Sequence, residues 1–250
     1  MIFSKENGKK LKIYLKNLIY PNHIKCIFCG EELTENSIFD TCMDCYNSLP
    51  FITHACLRCG DQISENNDGV CLTCHRQNYF FNQARSTFMF QDEVLYLVHK
   101  IKYNSKNYSI NALAHYLSQT YATTKWNIDY ITYVPLHKDK EKLRGFNQSQ
   151  LLAEELSKII NVPCLNLCFK VVNNTSQTTL NHEDRRKNVL DNFKFNSEYS
   201  KTIKDKNILI IDDIFTTGAT TNEISKILKN HHIKDCYVLT IAHTVLSNSK

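Results

Sequence analysis

Residues 208–220, ILIIDDIFTTGAT, constrain the fold more than any other stretch of the chain. The apolar run Ile208, Leu209, Ile210, Ile211 is too short for a helix and suits a parallel strand buried on both faces. Asp212 and Asp213 follow at the strand's C-terminal edge, where open α/β sheets bind ligands. Thr216, Thr217, Gly218, Ala219 and Thr220 then supply hydroxyls and exposed backbone N–H groups, and Ile224, Ile227 and Leu228 recur behind them at helical spacing. Such a turn at a helix N-terminus is an anion site, because its unpaired N–H groups and the positive end of the helix dipole favour phosphate. Two neighbouring carboxylates repel unless something compensates them. The expectation is therefore a phosphate held by the turn and two hydroxyls, or a metal, held by the acids. The plainer reading is a βα unit with a polar turn.

Eight of the eleven cysteines form four CxxC pairs: Cys26/Cys29, Cys42/Cys45, Cys56/Cys59 and Cys71/Cys74. Two such pairs complete a four-sulfur tetrahedral zinc site, and with every ligand position filled the zinc is structural. Sequential pairing is the simplest scheme; interleaved pairing is also compatible with the spacing. Disulfides would need an oxidising compartment. The lysine-interrupted N-terminus carries no secretory pattern, so a cytoplasmic location is expected. Cys164, Cys168 and Cys236 lie in apolar surroundings and read as core residues.

No apolar run approaches the roughly 20 residues of a membrane span. A net charge of +5 permits a nucleic-acid partner without demanding one. Residues 11–20 read as a basic, partly apolar helix. A metal module, residues 1–80 with that helix, precedes an α/β domain, residues 81–250. Strands are expected over 86–90, 128–134, 206–213 and 236–242. One helix is marked by Val94, Leu95, Val98 and Ile101, and another, entered near Asn147, by Leu151, Leu152, Leu156, Ile159 and Ile160. Alternation of this kind predicts a doubly wound parallel sheet with right-handed crossovers.

The IDDIFTTGAT motif resembles the signature of type I phosphoribosyltransferases, which bind 5-phosphoribosyl-1-pyrophosphate (PRPP). That resemblance implies that Asp212 and Asp213 bind the ribose hydroxyls and that residues 216–220 cradle the 5-phosphate. Over residues 21–242 the order of motifs is CxxC modules, then VPLHKDKEKLRGFNQSQLLAEEL, then a QxxL…RRxN segment, then IDDIFTTGAT. It resembles the ComF family, bacterial phosphoribosyltransferase-like proteins associated with competence and the use of external DNA. The resemblance implies PRPP with magnesium, single-stranded DNA and competence proteins as partners. Arg144, in RGFNQ, becomes the first choice for a pyrophosphate contact, with Lys138 beside it; a solvated charged loop is the alternative for Lys138, Lys140 and Lys142. Arg185 and Arg186, in QTTLNHEDRRKN, fall where the transferases carry a mobile hood. Lys102 falls in a segment similar to one found in ComF proteins, although a helix C-terminus commonly carries lysine for dipole reasons alone. Some purine transferases place a carboxylate where this chain has Thr216, so no general base is evident. Catalytic transfer to an unidentified acceptor is the alternative to a binding function.

Overall fold

A computed structural model describes residues 24–64, 68–103, 107–172 and 192–244. The expected helix over 11–20, Arg185 and Arg186 lie outside the described residues. The chain divides between Ser48 and Leu49 into two compact units.

In the first unit the backbone turns tightly after Cys26: Cys26 N donates to Glu31 O at 2.7 Å and Gly30 N to Cys26 O at 3.0 Å. The short helix α1 (Met43–Ser48) starts directly after Cys42. The second unit opens on a copy of this device. There Cys56 N donates to Asp61 O at 2.7 Å and Gly60 N to Cys56 O at 3.0 Å, and α2 (Leu72–Arg76) starts directly after Cys71.

The remainder of the second unit is built on a parallel sheet. Its strands are β1 (Gln83–Met89), β2 (Tyr130–Tyr133), β5 (Ile208–Phe215) and β6 (Cys236–His243), in the order β1-β6-β5-β2. All three pairings are parallel. Ile208, Leu209, Ile210 and Ile211 are fully buried, as a strand covered on both faces requires. Between strands run α3 (Asp92–Tyr103), α4 (Asn107–Ala122), α5 (Lys138–Arg144), α6 (Gln148–Ile160) and α7 (Ala219–Asn230). Helices α4 and α6 pack together on the sheet, and α7 lies against β6 and β4. A two-stranded antiparallel ribbon, β3 (Cys168–Lys170) with β4 (Phe193–Phe195), flanks the site.

Both outer strands are covered. The second knuckle lies along β1: Ile52 N donates to Thr87 O, Ala84 N to Arg58 O and Met89 N to Pro50 O. Residues 163–165 cover β2 through Ile131 N to Pro163 O and Leu165 N to Ile131 O. Pairing here removes the exposed edges that would otherwise template association. The contact at β1 is close: a Cβ on Gly60, which has φ +77°, would stand 2.7 Å from the Ala84 carbonyl oxygen. The second cysteine cluster is consequently part of the buried core, with Cys56, Cys59, Cys71 and Cys74 packed in one apolar cluster with Phe81, Phe215 and Ile224.

Two local expectations shift. In α3 it is Leu97 that turns inward with Val94 and Val98, while Leu95 is 43% exposed; at 100° per residue, positions 94, 97 and 98 share a face that 95 only flanks. Strand β5 continues past the acids to Phe215, because β6 still pairs with it there, Phe215 opposite His243.

Candidate functional site

The ligand sulfurs of Cys26, Cys29, Cys42 and Cys45 lie within 4.8 Å of one another, as do those of Cys56, Cys59, Cys71 and Cys74. The pairing is sequential. Zinc fits both sets, since tetrahedral Zn–S bonds of about 2.3 Å separate sulfurs by about 3.8 Å. The Cys29–Cys42 and Cys59–Cys71 sulfurs are 3.7 and 3.6 Å apart. Hydrogen bonds from the Cys59 and Cys74 side chains hold Cys56 far below the usual thiol range, while the bond with Cys56, burial and the Cys56 negative charge push Cys74 up to about 12 against an opposing bond from Cys59. Four sulfurs this close shed their protons together only around a cation.

The acidic pair sits where the sheet becomes one-sided. Pairing between β2 and β5 ends at Tyr133 opposite Ile211, with Val134 N donating to Ile211 O. Pro135 follows, and its missing N–H cannot continue the ladder. Asp212 and Asp213 therefore lie beyond the β2 ladder, and the N-terminus of α6 takes its place beside them. Asn147 caps that helix, accepting from Ser149 N at 3.1 Å while its Nδ2 donates to Val134 O at 3.0 Å. Ser149 Oγ donates to Asp212 Oδ1 at 2.9 Å, and Gln148 Nε2 donates to Asp213 Oδ2 at 3.0 Å. Backbone groups add Asp213 N to Asp212 Oδ1 at 2.9 Å and Ile214 N to Asp213 Oδ1 at 2.7 Å. A helix N-terminus and these hydrogen bonds thus supply the compensation that two adjacent carboxylates need.

After Phe215 the chain turns through Thr216, Thr217 and Gly218 into α7. Gly218 is the N-cap of that helix at φ +71°, and a Cβ there would stand 2.5 Å from Cζ of Phe215. Only glycine satisfies both demands. Thr217 Oγ1 accepts from Ala219 N at 3.3 Å, and Thr221 Oγ1 donates to Gly218 O at 3.1 Å. A small concavity is lined by Asp212, Phe215, Thr216, Gly218, Ala219 and Thr220. Asp212 and the turn thus share one hollow.

Arg144 closes α5, and its Nη1 lies 3.5 Å from Oε1 of Gln148, the residue that holds Asp213. Lys138 is the first residue of α5 and is exposed. Lys102 lies in α3. Three further side chains contribute. Gln148 and Ser149 belong to the RGFNQS segment, and their signal was position in the first turn after an Asn cap. Lys170 ends β3, paired through a parallel bridge to His137. Its ammonium lies 5.5 Å from the centre of the Phe193 ring. Burial and the neighbouring Lys140 charge lower its proton affinity, and Asp212 opposes them. Nothing in the sequence places the Lys170 charge within electrostatic reach of Asp212.

One buried pair stands behind the turn. Asp61 is 5% exposed and His243 2%. Asp61 Oδ1 is 3.5 Å from His243 Nδ1, close enough for attraction and too poorly aligned for a hydrogen bond. Nδ1 instead lies 2.9 Å from Thr244 O, which makes it the protonated nitrogen. Burial keeps the imidazole neutral, lowering it to about 4, and burial followed by the Cys56 charge raises Asp61 to about 6. Asp61 Oδ1 and His243 Nε2 have no hydrogen-bond partner among the described residues. Each such buried atom costs on the order of 1–3 kcal/mol.

The double zinc ribbon domain family matches residues 15–78. Competence protein F of Haemophilus influenzae is 26% identical over 228 residues, covering 88% of this chain and 97% of that protein. Competence protein ComFC of Bacillus subtilis is 28% identical over 221 residues, covering 81% and 88%. Among solved structures, a hypoxanthine phosphoribosyltransferase from Staphylococcus aureus aligns with TM-score 0.33 and 18% identity over 54% of this chain and 63% of that one. No described helix is long and apolar enough to cross a membrane. The expected resemblance and fold class are borne out: over most of its length the chain is similar to the ComF competence proteins, and it joins a double zinc ribbon to a parallel α/β domain.

Proposed function

We propose that the chain binds PRPP with magnesium and acts in the handling of DNA during uptake. One observation carries this reading. Asp212 lines the same hollow as the turn at Gly218, and Asp213 stands next to it in sequence, each carboxylate compensated by a side chain of α6. Carboxylates accept from sugar hydroxyls and a helix N-terminus receives a phosphate, so one sugar phosphate spans both. In this reading residues 216–220 hold the 5-phosphate and Asp212 and Asp213 the ribose. Arg144, Lys138 and Lys170 face the pyrophosphate, and Lys102, Arg185 and Arg186 add positive charge. Magnesium, a hard cation that keeps to oxygen ligands, enters with the pyrophosphate.

Two relatives carry competence in their names, which supports a role in DNA uptake beside competence proteins, inside the reducing compartment where four-cysteine zinc sites persist. An aromatic–cation pair supports contact with a single strand. Phe80 is 48% exposed, Lys226 Nζ lies 6.0 Å from its ring centre, and Phe80 N is anchored to Asn222 Oδ1 at 2.6 Å. Exposed rings beside cations suit stacked bases and their phosphates.

The test is a phosphorus NMR time course of PRPP and magnesium with the protein, alone and with single-stranded DNA or nucleobases. Saturable line broadening without turnover fits a binding protein. New pyrophosphate that requires an acceptor makes the chain a transferase. Unperturbed spectra reject both readings.

A further inference from the structure

The second cysteine cluster reaches the phosphate turn by two routes that converge on Phe215. The first runs from Cys59 through Gly60 to Asp61, whose carbonyl accepts from Cys56 N and whose carboxylate meets His243. His243 pairs in register with Phe215 and stacks on its ring at 4.8 Å and 22°. The second runs from Cys74 past α2 to Tyr79 and Phe81, which stack on each other at 4.5 Å. Both then meet Phe215 edge-on, at 6.4 and 6.0 Å. Tyr79 Oη also lies 3.4 Å from the Thr217 carbonyl oxygen, inside the turn. Phe215 itself is 2% exposed and leaves no room for a Cβ on Gly218. The ring is wedged between the metal knuckle on one side and the turn on the other.

We propose that Asp61, His243 and Phe215 are positioning residues through which metal occupancy at Cys56, Cys59, Cys71 and Cys74 sets the geometry, and hence the phosphate affinity, of the turn at residues 216–220. Packing alone does not account for the Asp61–His243 contact. An apolar pair of similar size would fill the same space and leave no polar atom unpaired, whereas the present electrostatic contact at 3.5 Å keeps two polar atoms buried and is made only when the knuckle is in place. The proposal rests on the phosphoribosyl reading for its ligand. It adds that the second zinc governs that site.

Linkage makes the coupling reciprocal: if zinc raises affinity for PRPP, PRPP raises affinity for that zinc by the same factor, and couplings of this kind run to about 5- to 150-fold. The full-length zinc-loaded protein is titrated with a chelator, with and without PRPP and magnesium. Thiol alkylation read by mass spectrometry reports which cysteines stay protected. PRPP is expected to shift the chelator midpoint of Cys56, Cys59, Cys71 and Cys74 upward by about fivefold or more. His243→Phe keeps a ring on Phe215 and removes the contact with Asp61; it should keep both zincs and abolish the shift. A purely structural role for His243 would lower the melting temperature and leave the shift intact, which overturns the proposal, as does no shift in the parent. A second readout needs no PRPP: the amide resonance of Gly218 should move in His243→Phe and when zinc leaves the second cluster. If PRPP fails to bind the loaded protein, the phosphoribosyl reading falls, and an unmoved Gly218 amide then refutes the coupling independently.

Discussion

Replacing Gly218 with alanine attacks the turn at its tightest point. Two costs can be read from the geometry. The backbone at φ +71° is left-handed, which costs an alanine about 1–2 kcal/mol. The new Cβ would stand 2.5 Å from Cζ of Phe215 and 3.1 Å from both Cε atoms. Phe215 cannot yield easily, being 2% exposed and stacked on His243. Overpacking of that kind adds about 1–3 kcal/mol, so the total is on the order of 2–5 kcal/mol. For a domain of this size each kcal/mol lowers the melting temperature by about 2–4 °C. Gly218→Ala should therefore melt roughly 4–20 °C below the parent and bind PRPP more weakly because the N–H groups of the turn are displaced. The control is Ala219→Gly, one residue on, which should cost no more than about 1 kcal/mol. Calorimetric melting and PRPP titration of both variants are the assays. A Gly218→Ala protein that melts with the parent and binds PRPP equally well refutes the reasoning about the turn.

Other outcomes are equally specific. Gly60→Ala should destabilise by about 1–3 kcal/mol more than Gly30→Ala in denaturant unfolding. Both glycines have positive φ, yet only at Gly60 does a Cβ meet backbone, while at Gly30 nothing lies within 4 Å. Elemental analysis should find two zincs per chain, and their removal should lower the melting temperature, because metal binding free energy is folding free energy in such modules. Ser149→Ala should leave the fold intact and weaken PRPP binding by about 0.5–1.5 kcal/mol in a calorimetric titration, since Asp212 loses one of its donors. Lys170→Met should weaken it by about 1.5–3 kcal/mol, the worth of a hydrogen bond to a charged group, whereas a structural lysine there would change melting and not affinity.

The sequence disclosed the site's landmarks because they are local. A buried strand, two acids, a glycine turn and a helix occupy consecutive positions, and CxxC spacing is itself ligand geometry. The entry to α6 at Asn147 was legible for the same reason, as a capping residue before a helical stripe. Contacts made across the chain were not legible. Ser149 and Gln148 reach the acids only because Pro135 ends β2 early. Lys170 comes within electrostatic reach of Asp212 from a ribbon too short to show a strand period, with three residues in each strand. Helix α4 is hidden as well, because its mix of Asn, Ser, Thr and Tyr with apolar residues blurs the helical stripe. Nor does cysteine spacing disclose that the second cluster lies in the α/β core while the first belongs to a separate unit. That depends on Gly60 fitting against Ala84 of β1 and on Asp61 meeting His243, pairs far apart in sequence.

The most direct measurement is PRPP affinity, with magnesium, for the parent protein and for Asp213→Asn. The substitution keeps an oxygen for Ile214 N and removes one negative charge, so the fold should survive. Binding should be saturable in the parent and at least about tenfold weaker in the variant, the effect of losing about 1.4 kcal/mol or more from a charged hydrogen bond to ribose. Equal affinity in the two proteins, or no binding in the parent, would contradict the assignment of the acidic pair and turn as a phosphoribosyl site.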